Sequence, residues 1–200
     1  MKLPALYIYG VELLRQCISR IVQFSPADAA AFYNLFRPAQ LKKGTYFARE
    51  GRIEREFAFL ETGLVRVFFR DQQGQEFNKS FFLPGSFIGA FTSLVSGSEN
   101  YFYYEALAEC RLWTADYAAF TQLFDAHPKI ERVARIVAER LFISKDMKEV
   151  AVALQDAAAR YEAFKQEFPG LQNQIAQYHI ASYLGITPTQ LSRIRSKRRG

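Results

Sequence analysis

Cysteine and histidine are scarce in this 200-residue chain, which holds two of each: Cys17, Cys110, His127 and His179. Two cysteines so far apart supply neither a disulfide framework nor the paired spacing of a zinc or iron–sulfur site. Two scattered histidines cannot form the His-rich cluster of a metal-dependent β-roll enzyme. No cofactor, no metal and no catalytic site are therefore expected. Long apolar runs are missing as well, and nothing approaches the roughly 18 residues that a membrane span needs. The opening run MKLPALYIYG is followed by Glu12 and Arg15, without a small-residue cleavage site, so a signal peptide is not expected. A cytoplasmic globular protein with no membrane partner is the expectation. Acidic residues are absent from Phe168 onward, where Arg193, Arg195, Lys197, Arg198 and Arg199 fall, and the entire net charge of +6 lies in residues 126–200. A one-sided surplus of cations suits a polyanion.

Aromatic residues are abundant, with 19 Phe and 11 Tyr, and half of the chain is hydrophobic, enough for a sizeable core. A helix is expected over about Val11–Val22, with Leu13, Leu14, Cys17, Ile18 and Ile21 on one side. A second, capped by Ser25 with Pro26 at its first position, should run to about Phe36. From Gln40 to Trp113 the pattern changes to short aromatic or β-branched runs punctuated by glycine: Phe57–Leu60, Leu64–Phe69, Phe77–Phe82 and Tyr101–Ala106. That spacing predicts an antiparallel roll or sandwich, with a hairpin turn at Gln72-Gln73-Gly74-Gln75. Pro128 then opens a long helix with two apolar stripes. Ile130, Val133, Val137, Leu141 and Ser144 follow one, and Ile136, Ile143 and Val150 the other. One stripe suits the roll and the second suits another copy of the same helix. A shift of pattern at Ser144–Val150 reads as a hinge. Leu154, Ala158, Tyr161, Phe164 and Phe168 mark a further helix stopped by Pro169-Gly170.

The stretch IASYLGITPTQLSRIR, Ile180 to Arg195, carries the functional signal. Two short helical patterns, Gln177–Leu184 and Pro188 to about Arg195, are separated only by Gly185, Ile186 and Thr187, the spacing of a helix-turn-helix. Gly185 can take the left-handed conformation that ends a helix. Thr187 is a natural N-cap and Pro188 a natural first residue. Leu191 and Ile194 share the inward face, leaving Thr189, Ser192, Arg193 and Ser196 outward. The candidate DNA contacts are Thr187, Thr189, Gln190, Ser192, Arg193, Arg195, Ser196 and Lys197, with Arg193 able to reach a guanine edge and the other cations suited to phosphates.

Phe82-Leu83-Pro84-Gly85-Ser86-Phe87-Ile88-Gly89, followed by a long helix and then this motif, resembles the CRP/FNR family of bacterial transcription regulators over about residues 25–200. The resemblance implies an α+β protein: an antiparallel β-roll of the cyclic-nucleotide-binding type, a long dimerisation helix and an α-helical DNA-binding domain. The expected division is 1–24 as an N-terminal helical extension, 25–125 as the roll, 126–150 as the helix and hinge, and 151–200 as the DNA-binding part. It also implies a homodimer through residues 128–150 and double-stranded DNA as partner, with one reading helix per subunit. Members that bind cyclic AMP follow Phe-Ile-Gly with a glutamate for the ribose and, about ten residues on, an arginine for the phosphate. Here those positions hold Ala90 and Asn100, which can make neither contact, so cyclic AMP dependence is not expected. Phe87, Gly89, Ala90, Phe91, Asn100 and Tyr101 are candidates for the pocket of an unidentified small-molecule effector, or simply core. The alternative function is a ligand-binding or protein-interaction module without a specific DNA target, whose DNA affinity would stay weak and salt-dependent at every sequence.

Overall fold

Alternation in Phe57-Ala58-Phe59-Leu60 places apolar side chains on both sides of one strand, and a strand of that kind has two faces to bury. The computed structural model describes residues 5–196, with side chains from residue 11 onward, and it buries both. Phe57 and Phe59 face a cluster built with helices, whereas Ala58 and Leu60 face the interior of a roll.

Eight strands make that roll: β1 (Arg37–Leu41), β2 (Tyr46–Ala48), β3 (Glu56–Thr62), β4 (Val65–Arg70), β5 (Glu76–Phe82), β6 (Phe87–Ile88), β7 (Tyr103–Ala106) and β8 (Cys110–Asp116). They form two antiparallel four-stranded sheets, ordered β1-β8-β3-β6 and β2-β7-β4-β5. The hairpin between β4 and β5 turns where expected, closed by Asp71 N–H to the Gln75 carbonyl (3.0 Å) with Gly74 left-handed. The strand region is slightly wider than the glycine spacing suggested, because Arg37–Leu41 pairs with Cys110–Thr114 of β8.

Helices α1 (Ala5–Ser19), α2 (Pro26–Tyr33) and α4 (Tyr117–Thr121) cover the outer face of the first sheet, and a short α3 (Phe91–Ser96) follows β6. Neither α3 nor α4 was anticipated, since five or six residues carry too little periodicity to register. Helix α1 starts earlier than its apolar stripe indicated. It is also no separate extension, because Leu14 and Ile18 are fully buried against the same cluster as Phe59 and Trp113. Helix α2 stops at Tyr33 rather than Phe36, and Leu35 and Phe36 continue only as turns. Its start is the expected one: Ser25 and Asp28 cap each other reciprocally.

Helix α5 (Pro128–Leu154) runs unbroken for 27 residues, which corrects the expected hinge at Ser144–Val150. The break comes at Gln155–Asp156, where Asp156 caps α6 (Ala157–Glu167). Leu154 therefore belongs to the end of α5 and not to the apolar face of α6. Loss of an apolar stripe does not end a helix whose backbone hydrogen bonds continue, and no Gly or Pro interrupts residues 144–154. A 3₁₀ turn at Leu171–Asn173 leads to α7 (Gln177–Leu184) and α8 (Pro188–Ser196). This small head has its own core of Tyr161, Phe164, Phe168, Leu171, Ile180, Leu184 and Leu191, into which Phe81 of β5 also packs.

Candidate nucleic-acid interface

The two terminal helices are joined as the residues demand. Gly185 closes α7 in the left-handed conformation (φ 67°), its N–H bonding back to the Ser182 carbonyl, and Ile186 N–H reaches Ala181. Ile186 folds under the turn onto the head core. Thr187 Oγ1 accepts from Gln190 N–H (3.2 Å), and Gln190 Oε1 accepts from Thr187 N–H (2.9 Å). This reciprocal cap starts α8 in a single register. It also engages both residues within the chain, so the Gln190 carbonyl oxygen is spent on the helix start.

Leu191 is fully buried and Ile194 half-buried beneath α8, while Thr189, Ser192, Arg193 and Ser196 point outward, as their spacing predicted. Ser196 bonds back to the Arg193 carbonyl (3.0 Å). Arg195 is half-buried, four residues after Leu191 and on the same side of the helix. Both arginines lie in the last turn, where cations are favoured by the helix dipole, and neither has an ion-pair partner among the described residues. Lys197, with Arg198 and Arg199, lies outside the described residues.

The candidate effector residues do not form one site. Phe87, Gly89 and Phe91 line a cavity of about 320 Å³ that also takes in Phe57, Phe120 and, from α5, Ala134 and Val137. Its walls are almost wholly apolar, with Glu131 and Arg135 the charged exceptions. Ala90, Asn100 and Tyr101 are not among its lining residues. Ala90 is 2% exposed and belongs to the roll interior, where Tyr104 donates its hydroxyl proton to the Gly89 carbonyl (2.8 Å). Burial raises the Tyr104 pKa strongly, so it remains a neutral donor. Asn100 is 3% exposed, with its amide given to the Arg49 and Phe102 carbonyls and its oxygen to Phe102 N–H (3.0 Å). It pins two loops together. Tyr101 is turned out to solvent. The sequence pattern grouped these residues by proximity along the chain, and the roll separates them.

Sequence reasoning missed a buried polar cluster where the head meets the second sheet. Arg66, on β4, is 6% exposed and binds Glu76 (Nη2–Oε2 2.7 Å) and Glu105 (Nε–Oε2 2.6 Å). Its Nη1 also lies 3.3 Å from Asn78 Oδ1 and 3.2 Å from His179 Nδ1, and its guanidinium covers the Phe68 ring. His179, on α7, figures in the sequence reading only as one of two scattered histidines. Burial, with Arg66 adding to it, lowers its pKa to about 4, so the ring is neutral at pH 7. The available signal was one charged residue inside the apolar run Leu64–Phe69. His127, the other histidine, binds Asp28 (Nδ1–Oδ1 2.9 Å) and joins the start of α5 to the cap of α2. Hydrogen bonds from Ser25 first, and then from His127, lower the Asp28 pKa to about 2.

Residues 38–127 match the family described as the cyclic nucleotide-binding domain. No curated protein matches the chain significantly. Among solved structures it is similar to the c-di-GMP-responsive global regulator CLP of Xanthomonas campestris, at 15% identity and a TM-score of 0.68, over 88% of this chain and 92% of that one. FixK2 from Bradyrhizobium japonicum is similar at 17% identity and TM-score 0.70, over 81% and 83%. The catabolite activator protein of Thermus thermophilus follows at 21% and 0.54, over 87% and 83%. At such identities the likeness is one of fold. Residues 38–127 thus resemble the cyclic nucleotide-binding domain family, in a chain whose fold is similar to that of solved CRP/FNR-family transcription regulators.

Proposed function

We propose that this protein is a homodimeric, sequence-specific DNA-binding transcription regulator of the CRP/FNR type that works without cyclic AMP. The observation that carries the reading is α8, a capped helix packed through Leu191 that presents Thr189, Ser192 and Arg193 to solvent in a basic end of the chain. Arg193 reads a base edge, Thr189 and Ser192 add base or phosphate contacts, and Arg195 with Lys197 holds the backbone. Thr187 serves mainly as the cap, and the amide nitrogen of Gln190 remains the part of that side chain free for DNA.

Dimerisation through α5 is supported by its second stripe. Of that stripe Ile136 is half-buried, whereas Ile143 and Val150 are exposed in the single chain and, joined by the equally exposed Met147 and Leu154, recur at the spacing of a two-stranded coiled coil. Independence of cyclic AMP is supported by Ala90 and Asn100, both buried and engaged internally, which leaves no side chain there for a ribose hydroxyl or a cyclic phosphate. An effector, where one acts, enters the aromatic cavity beside α5 and is itself largely apolar, because that wall offers few hydrogen-bond donors.

The test is selection from a random DNA library at near-physiological salt with purified protein and no added ligand. An enriched palindrome with half-sites about one helical turn apart is expected. Affinity that stays weak and falls steeply with salt for every sequence would instead mark an interaction module whose partner is not DNA.

A further inference from the structure

The head is tethered to the rest of the chain only through the Gln155–Asp156 turn at the end of α5. A turn of that length would let the head swing. Besides Lys148 of α5 over the Tyr183 ring (3.6 Å) and Leu64 in the head core, what holds it is its contact with β5, an edge strand of the second sheet whose outward backbone groups have no strand beside them. Ser182 of α7 stands in for the missing strand: its hydroxyl accepts from Asn78 N–H (2.9 Å) and donates to the Glu76 carbonyl (3.0 Å). The side-chain amide of the same Asn78 donates to the His179 carbonyl (2.9 Å). Behind them, Arg66 is held by Glu76 and Glu105 and extends Nη1 to Asn78 and to His179 Nδ1.

Two kinds of contact meet in this interface, and they do different work. Phe81 of β5 against Phe164, Phe168 and Tyr183 supplies apolar burial, which is tolerant of small slides. The hydrogen bonds are directional and paired to particular backbone groups. A shift of α7 by one residue along β5 would strand Asn78 N–H and the Glu76 carbonyl and break the contact of Arg66 Nη1 with His179 together. Apolar area attaches the head, and the polar cluster sets its orientation. In this docked state the outward face of α8 stays exposed, so the cluster orients the reading surface rather than hiding it.

We propose that Arg66, Asn78, His179 and Ser182 form a positioning latch that fixes the head on the roll and, in the dimer, sets the separation of the two α8 helices and hence the operator half-site spacing. The spacing part rests on the DNA-reading function proposed above. The chemistry requires a neutral His179 whose Nδ1 accepts from Arg66. The charged groups facing it are Arg66 on β4 and Glu76 on β5, with Glu105 of β7 acting through Arg66.

The test uses the full-length chain and His179→Phe, which keeps a buried ring and leaves Arg66 paired with Glu76 and Glu105. Ser182→Ala, which changes no charge, is the second variant. Two readouts are taken: library selection, and hydrogen exchange at the Asn78 amide, whose acceptor lies on the head. The wild type should select one spacing and protect Asn78. His179→Phe should enrich the same half-site sequence at two or more spacings. Its Asn78 amide should exchange at least about tenfold faster while the amides of the β3–β8 ladder keep their rates. Unchanged spacing in both variants, or unchanged Asn78 exchange in His179→Phe, overturns the latch. Should the wild type select no DNA at all, the DNA reading fails, and the spacing role with it. Exchange then decides separately whether the cluster holds the head.

Discussion

The second stripe of α5 can be tested by removing a single side chain. Ile143, Met147, Val150 and Leu154 are 61, 63, 49 and 81% exposed in the single chain. Burying such a side chain fully is worth about 1.5–3 kcal/mol, so each has roughly 1–2 kcal/mol still to gain. A two-fold interface counts each residue twice, which brings the four to about 8–16 kcal/mol gross. Association itself costs about 4–15 kcal/mol, so the seam can hold a dimer but has little to spare. Ile143→Ala removes the side chain from both copies, about 2–3 kcal/mol, and should weaken the dimer roughly 30- to 150-fold. Because Ile143 is exposed in the monomer, the variant should keep its fold and its helical circular dichroism. Sedimentation equilibrium across a range of protein concentrations reads the change directly. A wild type that stays monomeric at high concentration, or a variant that dimerises as tightly as the wild type, would refute the assignment of this seam.

Four further outcomes are expected. Arg193→Ala should cost about 1–3 kcal/mol of binding to the selected operator and relax preference at one base position; equal losses on operator and random DNA would remove Arg193 from base reading. Thr187→Ala deletes the cap acceptor of α8 and should cost about 1 kcal/mol, a Tm decrease of about 2–4 °C by circular dichroism, whereas an unchanged melt would mean that the cap carries nothing. His179 has a folded pKa of about 4 against about 6.5 when exposed, so the less structured states take up more protons between those values. Docking stability should therefore be full above about pH 6.5 and decline towards pH 4, by no more than about 3 kcal/mol. Asn78 exchange measured against pH should show that window in the wild type and lose it in His179→Phe. Gly63, in the β3–β4 turn at φ 102°, has no room for a Cβ, which would lie 2.6 Å from both Cys110 Sγ and the Glu109 carbonyl oxygen. Gly63→Ala should cost about 3 kcal/mol or more in urea unfolding, against about 1–2 kcal/mol for Gly74→Ala, where the backbone is also left-handed but the space is open.

Some of the molecule is written in the sequence because its causes are local. Thr187, Pro188 and Gly185 each act within one turn of backbone, and the end of α7 and the start of α8 follow from them. The same holds for the Ser25 cap and for the Gly74 hairpin. The apolar run Phe57–Leu60 likewise indicates a strand, although not what buries its two faces. Helix α5 is half legible: its stripes are visible, but the shift of pattern at Ser144–Val150 reads as a hinge where the helix in fact continues.

What only the tertiary structure decided are the relations between residues far apart in sequence. Arg66 and His179 are separated by 113 positions, and no periodicity in either segment indicates that they meet. Ala90 and Asn100 lie beside Phe87 and Phe91 in the chain, yet the roll directs the former pair into its packed interior and structural loops, and the latter to a cavity under α5. Local rules fix which backbone conformations are cheap, and they fixed the reading helix. Which buried charges find partners, and on which strand the head comes to rest, depends on closing long loops around a shared core, and that free energy belongs to the whole fold rather than to any stretch of it.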